Sequence, residues 1–530
     1  MKQIMKHQSL LSGIKSLGIM LSLGLALASC TKDDVVQDPA KPNEEGNKNL
    51  TTFVAGGENK TRTSMNYNSG DFYWEAGDYI YVKDDDGVLR KSTNAPTGKV
   101  ASFKYKVPGK FTDHSSYKVY YLGKNSSGNS VTISTAQSQT APDNTAHFGT
   151  AGDYGTATAT KVTGKNQFVF ELEHQAAYLV FQPYTSNTIL HNCYLTKVEV
   201  TSDNDIAETY TFNPTTGALD ASAVSNGKQV VLTTQDATSG SSYNNGFPLT
   251  NNSASVTTNG AYMVIKPGTH TLKVRYWVKD VARNVEGAIT KTYPSTAYAL
   301  NTYYDMTASL DVKNYDGDHY YMWDAQEQYW KGHEWWSANK DQPVSNGGIN
   351  GNYAQSNADP RYYHEGGGSG RFDATQSCAT TPNANELSWY CKYGDPRWDA
   401  NELWTTMGHL YKGGMWFKKK SVLQAEGHYD TEKSADGSTD LRTTDGNYGS
   451  HIYTSGLPSA ADAGNYFYMP ALGYYNSGQL HGVGTYGYCW SSSANPSVSY
   501  RAYYLNFCSD YVLLYNYLHR NNGFTVGGFE

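Results

Sequence analysis

Charge is scarce in this sequence: 17% of its 530 residues are Asp, Glu, Lys or Arg, below the quarter or so usual in soluble domains. The formal net charge is −7 and no basic run occurs, so the electrostatic footprint that nucleic-acid binding needs is missing. Beyond residue 28 no apolar stretch is long enough to cross a bilayer. Gly-x-Ser-x-Gly, His-Glu-x-x-His, a P-loop and Cys-x-x-Cys are all absent, which removes the usual signatures of acyl, zinc, nucleotide and thiol-redox chemistry. The expectation is a protein without catalytic activity, metal or cofactor.

What is present points to export and to β-structure. Lys2, Lys6 and Lys15 form a positive n-region, and Leu17 to Ala28 is uncharged, apolar and too short to span, so residues 1–29 read as a signal peptide. Leu27-Ala28-Ser29-Cys30 resembles the bacterial lipobox. That resemblance implies cleavage before Cys30 and lipidation of its thiol; the alternative is an ordinary secretory signal with an incidental cysteine. Thr31-Lys32-Asp33-Asp34 looks like the Lys-Asp-Asp tag that carries some Gram-negative lipoproteins to the outer face of the outer membrane. Residues 30–49 are nearly free of apolar side chains and read as a flexible tether. The rest is rich in Tyr (45) and Gly (51) and poor in helix formers, which suits antiparallel sheets wet on one face.

From 50 to 312 short alternating strands are separated by turn signals about every ten residues, the sandwich pattern. Tyr79-Ile80-Tyr81-Val82 runs into Asp84-Asp85-Asp86-Gly87, a hairpin turn by the Asp-Gly rule. The break between Pro183 and Asn192 divides this region into 50–187 and 188–312. Its ordered motifs are Thr61-Arg62-Thr63-Ser64, Phe72 to Trp74 with Gly77-Asp78-Tyr79-Ile80, Tyr117-Lys118-Val119-Tyr120-Tyr121, and Phe170-x-Leu172-x-His174-x-x-Ala177-x-Leu179-x-Phe181, followed by Leu195-x-x-Val198 and Thr216-Gly217-Ala218-Leu219. They resemble the fimbrillin superfamily, the Mfa-like subunits of type V pili, over about half the chain. The resemblance implies two tandem transthyretin-like β-sandwiches. His174 falls inside an alternating strand and is read as structural.

Composition changes near 313. Nine of the eleven Trp lie beyond it, and loops become long and rich in Gly, Asn and Ser. Leu403, Met407 and Leu410 fit one face of a helix from Ala400 to Leu410. Tyr468-Met469-Pro470-Ala471-Leu472-Gly473-Tyr474, Gly484 to Ser492, Ala502 to Phe507 and Arg520-Asn521-Asn522-Gly523-Phe524-Thr525-Val526 resemble the Fib_succ_major paralogous domain. That family belongs with C-type-lectin-like and formylglycine-generating-enzyme-like folds, so 313–530 is expected to be an α+β domain of that kind behind a mainly β first half. The relatives' closing Arg after Gly-Phe-x-Val is Gly527 here. The lectin calcium motifs are also absent, and Asp316-Gly317-Asp318 is read as a polar turn before a cation site.

Cys378, Cys391, Cys489 and Cys508 all lie in this last part, where export permits disulfides. The favoured pairs are Cys378–Cys391 and Cys489–Cys508, the second because a hairpin centred near residue 498 puts its two cysteines opposite each other; free buried thiols are the alternative. A copper-binding Cys489/Cys508 pair, which the enzyme branch of the resemblance suggests, is set aside because both fall on structural strands. Trp490 is expected in the core. The loop residues Tyr474, Tyr475, Asn476, Tyr486, Tyr511, Tyr515 and Tyr517 are the candidate ligand contacts, since aromatic rings with a polar handle suit sugars and protein surfaces alike.

Together the two resemblances imply the tip adhesin of a fimbrium. Fimbrillins lose an N-terminal strand to a trypsin-like protease and accept a neighbour's strand in its place. Here the cut is expected after Arg62, or after Lys60, in the polar loop that follows Leu50 to Ala55. The expected partners are other fimbrillin subunits, a transient outer-membrane lipid anchor, and a glycan or protein on a host or microbial surface. The competing reading is a permanently lipid-anchored surface glycan-binding protein.

Overall fold

The computed structural model describes residues 6–9, 50–56, 64–67, 72–452 and 456–530. Cys30, Lys60 and Arg62 lie outside the described residues. Regular structure is mainly β. The chain divides into two compact units, one running to Val281 and resuming at Tyr293–Leu310, the other made of Ala282–Thr292 and Asp311–Glu530.

The first unit begins with a sheet of β1 (Leu50–Ala55), β2 (Tyr81–Lys83), β3 (Leu89–Lys91), β4 (Phe103–Pro108), β5 (Ser116–Tyr121), β6 (Gly155–Lys161) and β7 (Gln167–Phe170), in the order β3-β2-β5-β6-β7-β1-β4. The β2–β3 turn is the one the Asp-Gly signal predicts: Gly87 N donates to Asp84 O at 3.0 Å, and Gly87 takes φ +77°. The sheet curls back on itself, because Thr93 N donates to Lys106 O at 2.7 Å and Asn94 Nδ2 to Lys104 O at 2.9 Å. Alternation drives the closure. Phe53, Tyr105, Val107, Val119, Tyr121, Phe168 and Phe170 point inward to one core with Trp74, while alternate residues turn to the other face, where Tyr120 is covered by Phe212 at 5.1 Å.

A second sheet pair follows: β8 (Ala177–Tyr184), β9 (Cys193–Ser202), β10 (Gln229–Thr233), β11 (Ala261–Ile265), β12 (Gly268–Asp280) and β13 (Thr302–Ser309). β8 lies between antiparallel β11 and parallel β13, and β9 lies between β10 and β12. The Phe181 and Tyr276 rings, 6.0 Å apart, join the two sheets. β8 therefore works in the second core, although the boundary at 187/188 assigns it to the first. Its continuous apolar run is what a strand buried on both faces requires, and its burial is nearly unbroken. Lys6–Ser9 lies parallel to β13, from Lys6 opposite Thr302 to Ser9 opposite Asp305.

The second unit contains β14 (Tyr320–Tyr321), α1 (Ala384–Tyr393), β15 (Arg397–Thr406), β16 (His409–Lys418), α2 (Lys420–Ala425), β17 (Tyr448–His451), β18 (Tyr466–Pro470), β19 (Tyr474–Asn476), β20 (Gln479–His481), β21 (Gly487–Ala494), β22 (Ala502–Phe507), β23 (Tyr511–Tyr515) and β24 (Phe524–Thr525). β15, β16 and β18 form one antiparallel sheet. A second runs β14-β24-β21-β22-β23-β17, and α1 packs on one of its faces.

The helix expected over Ala400–Leu410 is absent. Those residues belong to the β15–β16 hairpin, which turns at Met407 (φ +48°) and Gly408 (φ +77°). The spacing of Leu403, Met407 and Leu410 matched a helix by coincidence, because the tight turn at Met407 and Gly408 breaks the strand period between Leu403 and Leu410. The helix sits upstream instead. Asn383 Oδ1 accepts from Glu386 N at 3.0 Å, and Asn383 N donates to Glu386 Oε2 at 2.8 Å, a reciprocal cap legible as Asn-x-x-Glu.

Both expected disulfides are also corrected: Cys378, Cys391, Cys489 and Cys508 are free and buried. β21 pairs with β22 so that Cys489 faces Leu505 and Gly487 faces Phe507, which leaves Cys508 beyond the last pair. The bulge between Trp490 and Ala494 moves the register from the one a plain hairpin would have. Cys378 packs with Trp323 and Trp490, whereas Cys391 packs with Leu505 and Phe507. Trp490 and Leu505 point to opposite faces of the sheet, so Cys378 and Cys391 are separated too. Burial raises the Cys489 thiol to about 12, which keeps it protonated and inert.

Candidate functional site

Two places combine unusual geometry with usable chemistry. The first is β1. It is the first strand of its sheet in chain order, yet it lies in the interior of that sheet. It pairs in parallel with β7, from Thr52 opposite Gln167 to Ala55 opposite Phe170, and antiparallel with β4, from Leu50 opposite Pro108 to Ala55 opposite Phe103. Thr51, Phe53 and Ala55 face the core. The Phe53 ring stacks on Phe168 at 5.1 Å and meets Phe111 edge-on at 5.1 Å. Gly56 N closes the strand on Phe170 O at 3.3 Å. Lys60 and Arg62 follow within a few residues.

The second place is a tyrosine face on the six-stranded sheet of the second unit. Alternation along β21 sends Cys489 inward toward α1 and sends Tyr488 and Trp490 to the other face. Trp323, Phe372 and Cys378 cover one end of that face. At its other end Tyr488 lies 4.5 Å from Tyr474, 5.9 Å from Tyr504 and 6.4 Å from Tyr486. Tyr515 and Tyr517 are 5.3 Å apart. Burial, with Tyr474, Tyr511 and Tyr504 next, holds the Tyr488 hydroxyl above the usual tyrosine range. Burial and Cys508 take Tyr511 up to about 12, with Tyr486 and Tyr515 adding. The Tyr488 and Tyr511 hydroxyls therefore stay protonated at neutral pH, and the face presents rings and O–H donors.

Five of the seven candidate contacts, Tyr474, Tyr486, Tyr511, Tyr515 and Tyr517, thus come together. Tyr517 is the most open, at 53% exposure, and accepts from Asn447 Nδ2 at 2.8 Å. Tyr488 and Tyr504 join them unanticipated; their period-2 spacing from Trp490 and Ala502 was the available signal. Asn476 is exposed at the tip of the β19–β20 hairpin. Tyr475 is a correction. It has no exposure, its ring packs on Tyr320 at 4.8 Å and Tyr329 at 5.4 Å, and its hydroxyl donates to Pro343 O. A two-strand hairpin turns adjacent residues to opposite faces, so only one of Tyr474 and Tyr475 could face outward. Tyr475→Ala is accordingly expected to lower stability by about 3 kcal/mol, and Tyr517→Ala to change it by less than about 0.5 kcal/mol. Urea titration of the two variants distinguishes core from contact.

The remaining singled-out residues are structural. His174 is fully buried with Nδ1 2.8 Å from Asp153 Oδ2, against the Phe72 ring at 4.2 Å. Trp490 has no exposure, and its Nε1 donates to Tyr321 O at 2.8 Å. The Asp316-Gly317-Asp318 turn is held by Trp335 Nε1 on Asp316 O at 2.6 Å and Gln342 Nε2 on Gly317 O at 2.8 Å. Among the described residues no three His, Cys, Asp or Glu side chains cluster as a metal site.

No protein-family model matches the chain, and no curated protein matches it. Similar solved structures include a candidate cell adhesion protein of Bacteroides ovatus, at 14% identity over 50% of this chain and 94% of that one, with a TM-score of 0.31. A fimbrial protein of Bacteroides ovatus matches at 12% identity over 90% of this chain and 98% of that one, TM-score 0.24. The fimbrial anchor protein Mfa2 of Porphyromonas gingivalis matches at 12% identity over 49% and 90%, TM-score 0.22. Likenesses at this level assign no function.

Proposed function

We propose that the chain is a strand-accepting adhesin at the end of a surface fimbrium, exported as a lipoprotein on Cys30 and matured by cleavage after Arg62, or after Lys60. The interior position of β1 carries this reading. Trimming an edge strand leaves a sheet intact. Cleavage behind β1 instead detaches Leu50–Ala55 and leaves a slot between β4 and β7 with two unpaired edges and the Phe111 and Phe168 rings uncovered. An extended strand from a neighbouring subunit restores both ladders and the core, which is β-augmentation in its fullest form. Phe524–Glu530 is bound into the second unit, through Thr525 opposite Tyr320 and through Lys420 N to Glu530 O at 2.7 Å. That segment is not free for donation. The tyrosine face supplies the adhesive surface, and no catalysis is assigned.

Sequencing the N-terminus of the protein from purified fimbriae tests this. The expected first residue is Thr63, with palmitate labelling of the precursor lost in Cys30→Ala. Fimbrial protein that retains residues 31–55 overturns the accepting role and favours the permanently anchored alternative.

A further inference from the structure

The two sheets of the second unit do not meet along their whole length. Between β18 on one side and β21, β22 and β24 on the other lies a cleft of about 330 Å³, at the lower end of the range for small-molecule sites. Its walls are rings: Tyr315, His319, Tyr468, Tyr488, Phe507 and Phe529. Lys313 and Glu530 line it as well, and both are exposed, so they mark its mouth with one charge of each sign. Gly487 stands where a Cβ would lie 2.0 Å from the Phe507 ring, so the close contact of β21 and β22 at the back of the cleft demands glycine. At Gly527 a Cβ would meet nothing within 4 Å, and the tail leaves this space empty.

The polar groups around the cleft are underused. Neither the Tyr315 nor the Tyr488 hydroxyl makes a hydrogen bond to the described residues. His319 packs on Tyr320 at 4.2 Å and Tyr315 at 5.7 Å, and neither of its ring nitrogens is hydrogen-bonded. Burial first, then Lys313, holds His319 down to about 3, so the imidazole is neutral and carries one donor and one acceptor. As the ring stands both nitrogens are shielded from solvent; a half-turn of the ring exchanges each with a carbon.

We propose that this cleft is a binding site for a single neutral pyranose ring, distinct from the tyrosine face except for Tyr488. A pyranose has apolar C–H faces to lie against the rings and equatorial hydroxyls that both donate and accept, as the tyrosines and a neutral histidine require. Balanced charge at the mouth gives no preference for an acid or an amine. Small aromatic ligands would fill the same walls but would leave the hydroxyls unpaired, which costs affinity.

The experiment is saturation-transfer NMR on the mature chain with glucose, galactose, mannose, fucose and N-acetylglucosamine, and with glucuronic acid, glucosamine and phenol for comparison. The expected result is binding of at least one neutral sugar with Kd on the order of 1 mM or tighter, weakened about tenfold or more by Tyr315→Ala or Phe529→Ala. Tyr315→Phe should retain the stacking and lose only part of the affinity. Ile349→Ala, exposed and outside both the cleft and the tyrosine face, should leave it unchanged. Circular dichroism checks that each variant is folded. Absence of neutral-sugar binding, tighter binding of the charged sugars or phenol, or loss in Ile349→Ala with retention in Tyr315→Ala overturns the proposal.

Discussion

Phe53→Ala should destabilise the first unit by about 4 kcal/mol, the largest loss expected from any single truncation in β1. The side chain is fully buried and touches rings from two directions, Phe168 stacked and Phe111 edge-on, each at 5.1 Å. Phe168 is fixed on β7 and Phe111 is buried in the loop between β4 and β5, so the space closes only in part and the cavity term adds to the transfer term. Val54 is the control. It belongs to the same strand and the same two ladders but faces outward, so Val54→Ala should cost less than about 1 kcal/mol. Urea unfolding followed by a probe in the first unit reads the difference. The outcome bears on function. If β1 is a separable strand whose place another strand can take, most of its contribution should reside in Thr51, Phe53 and Ala55, and a peptide of residues 50–56 should stabilise a chain beginning at Thr63. A loss below about 1 kcal/mol for Phe53→Ala would mean that the slot is not held by its occupant, and strand acceptance would lose its physical basis.

Arg520→Met should cost the second unit about 3–4 kcal/mol. Arg520 has no exposure; Nε donates to Arg501 O at 3.0 Å, and Nη1 donates to His364 O and Gly366 O at 2.9 Å each. The guanidinium lies 4.2 Å over the Trp323 ring. Opposing terms set the size of the effect. Arg501 O keeps a donor in Asn495 N at 3.0 Å, but three charged hydrogen bonds to carbonyls are lost, at roughly 1–3 kcal/mol apiece, together with a cation–π contact. Against this, burying the charge is itself unfavourable: desolvation lowers Arg520 to about 10, and Nη2 has no partner. Met keeps the volume and removes that penalty, so the net loss falls short of the sum. Arg520→Lys should not rescue, because a point ammonium cannot reach carbonyls on both sides of the ring. The damage should be local, seen as faster amide exchange over 361–378, the loop that also wraps Asp324. There Thr375 N, Gln376 N and His364 Nδ1 converge on one buried carboxylate at 2.7, 2.7 and 2.8 Å. Wild-type stability in Arg520→Met would show that desolvation of the guanidinium cancels its hydrogen bonds.

The features legible in the sequence were those with a short period. The alternation of Leu50 to Ala55 showed which side chains of β1 face inward, and the Asp-Gly signal located the β2–β3 turn. Trp490 was recognisable as core within a strand, and Tyr474, Tyr486, Tyr511, Tyr515 and Tyr517 as outward aromatics. Each rests on contacts between residues a few positions apart. The failures share one cause. Leu403, Met407 and Leu410 fit a helix because the turn at Met407 and Gly408 interrupts the strand period among them. Cys489 was placed opposite Cys508 because the bulge after Trp490 lies between them. Tyr475 was grouped with Tyr474 although a strand turns neighbours apart.

By itself, then, the sequence determined the mainly β class and the facing of individual strands, because pleating makes side-chain direction a local property. Only the tertiary structure decided that the first strand fills an interior slot, that scattered tyrosines share one face, and that two sheets leave a ring-lined cleft between them. The slot depends on a pairing more than a hundred residues apart, Phe53 opposite Phe168, and the tyrosine face on the register of three successive strands. A one-residue bulge or a choice of edge redirects such a pairing without altering the local pattern.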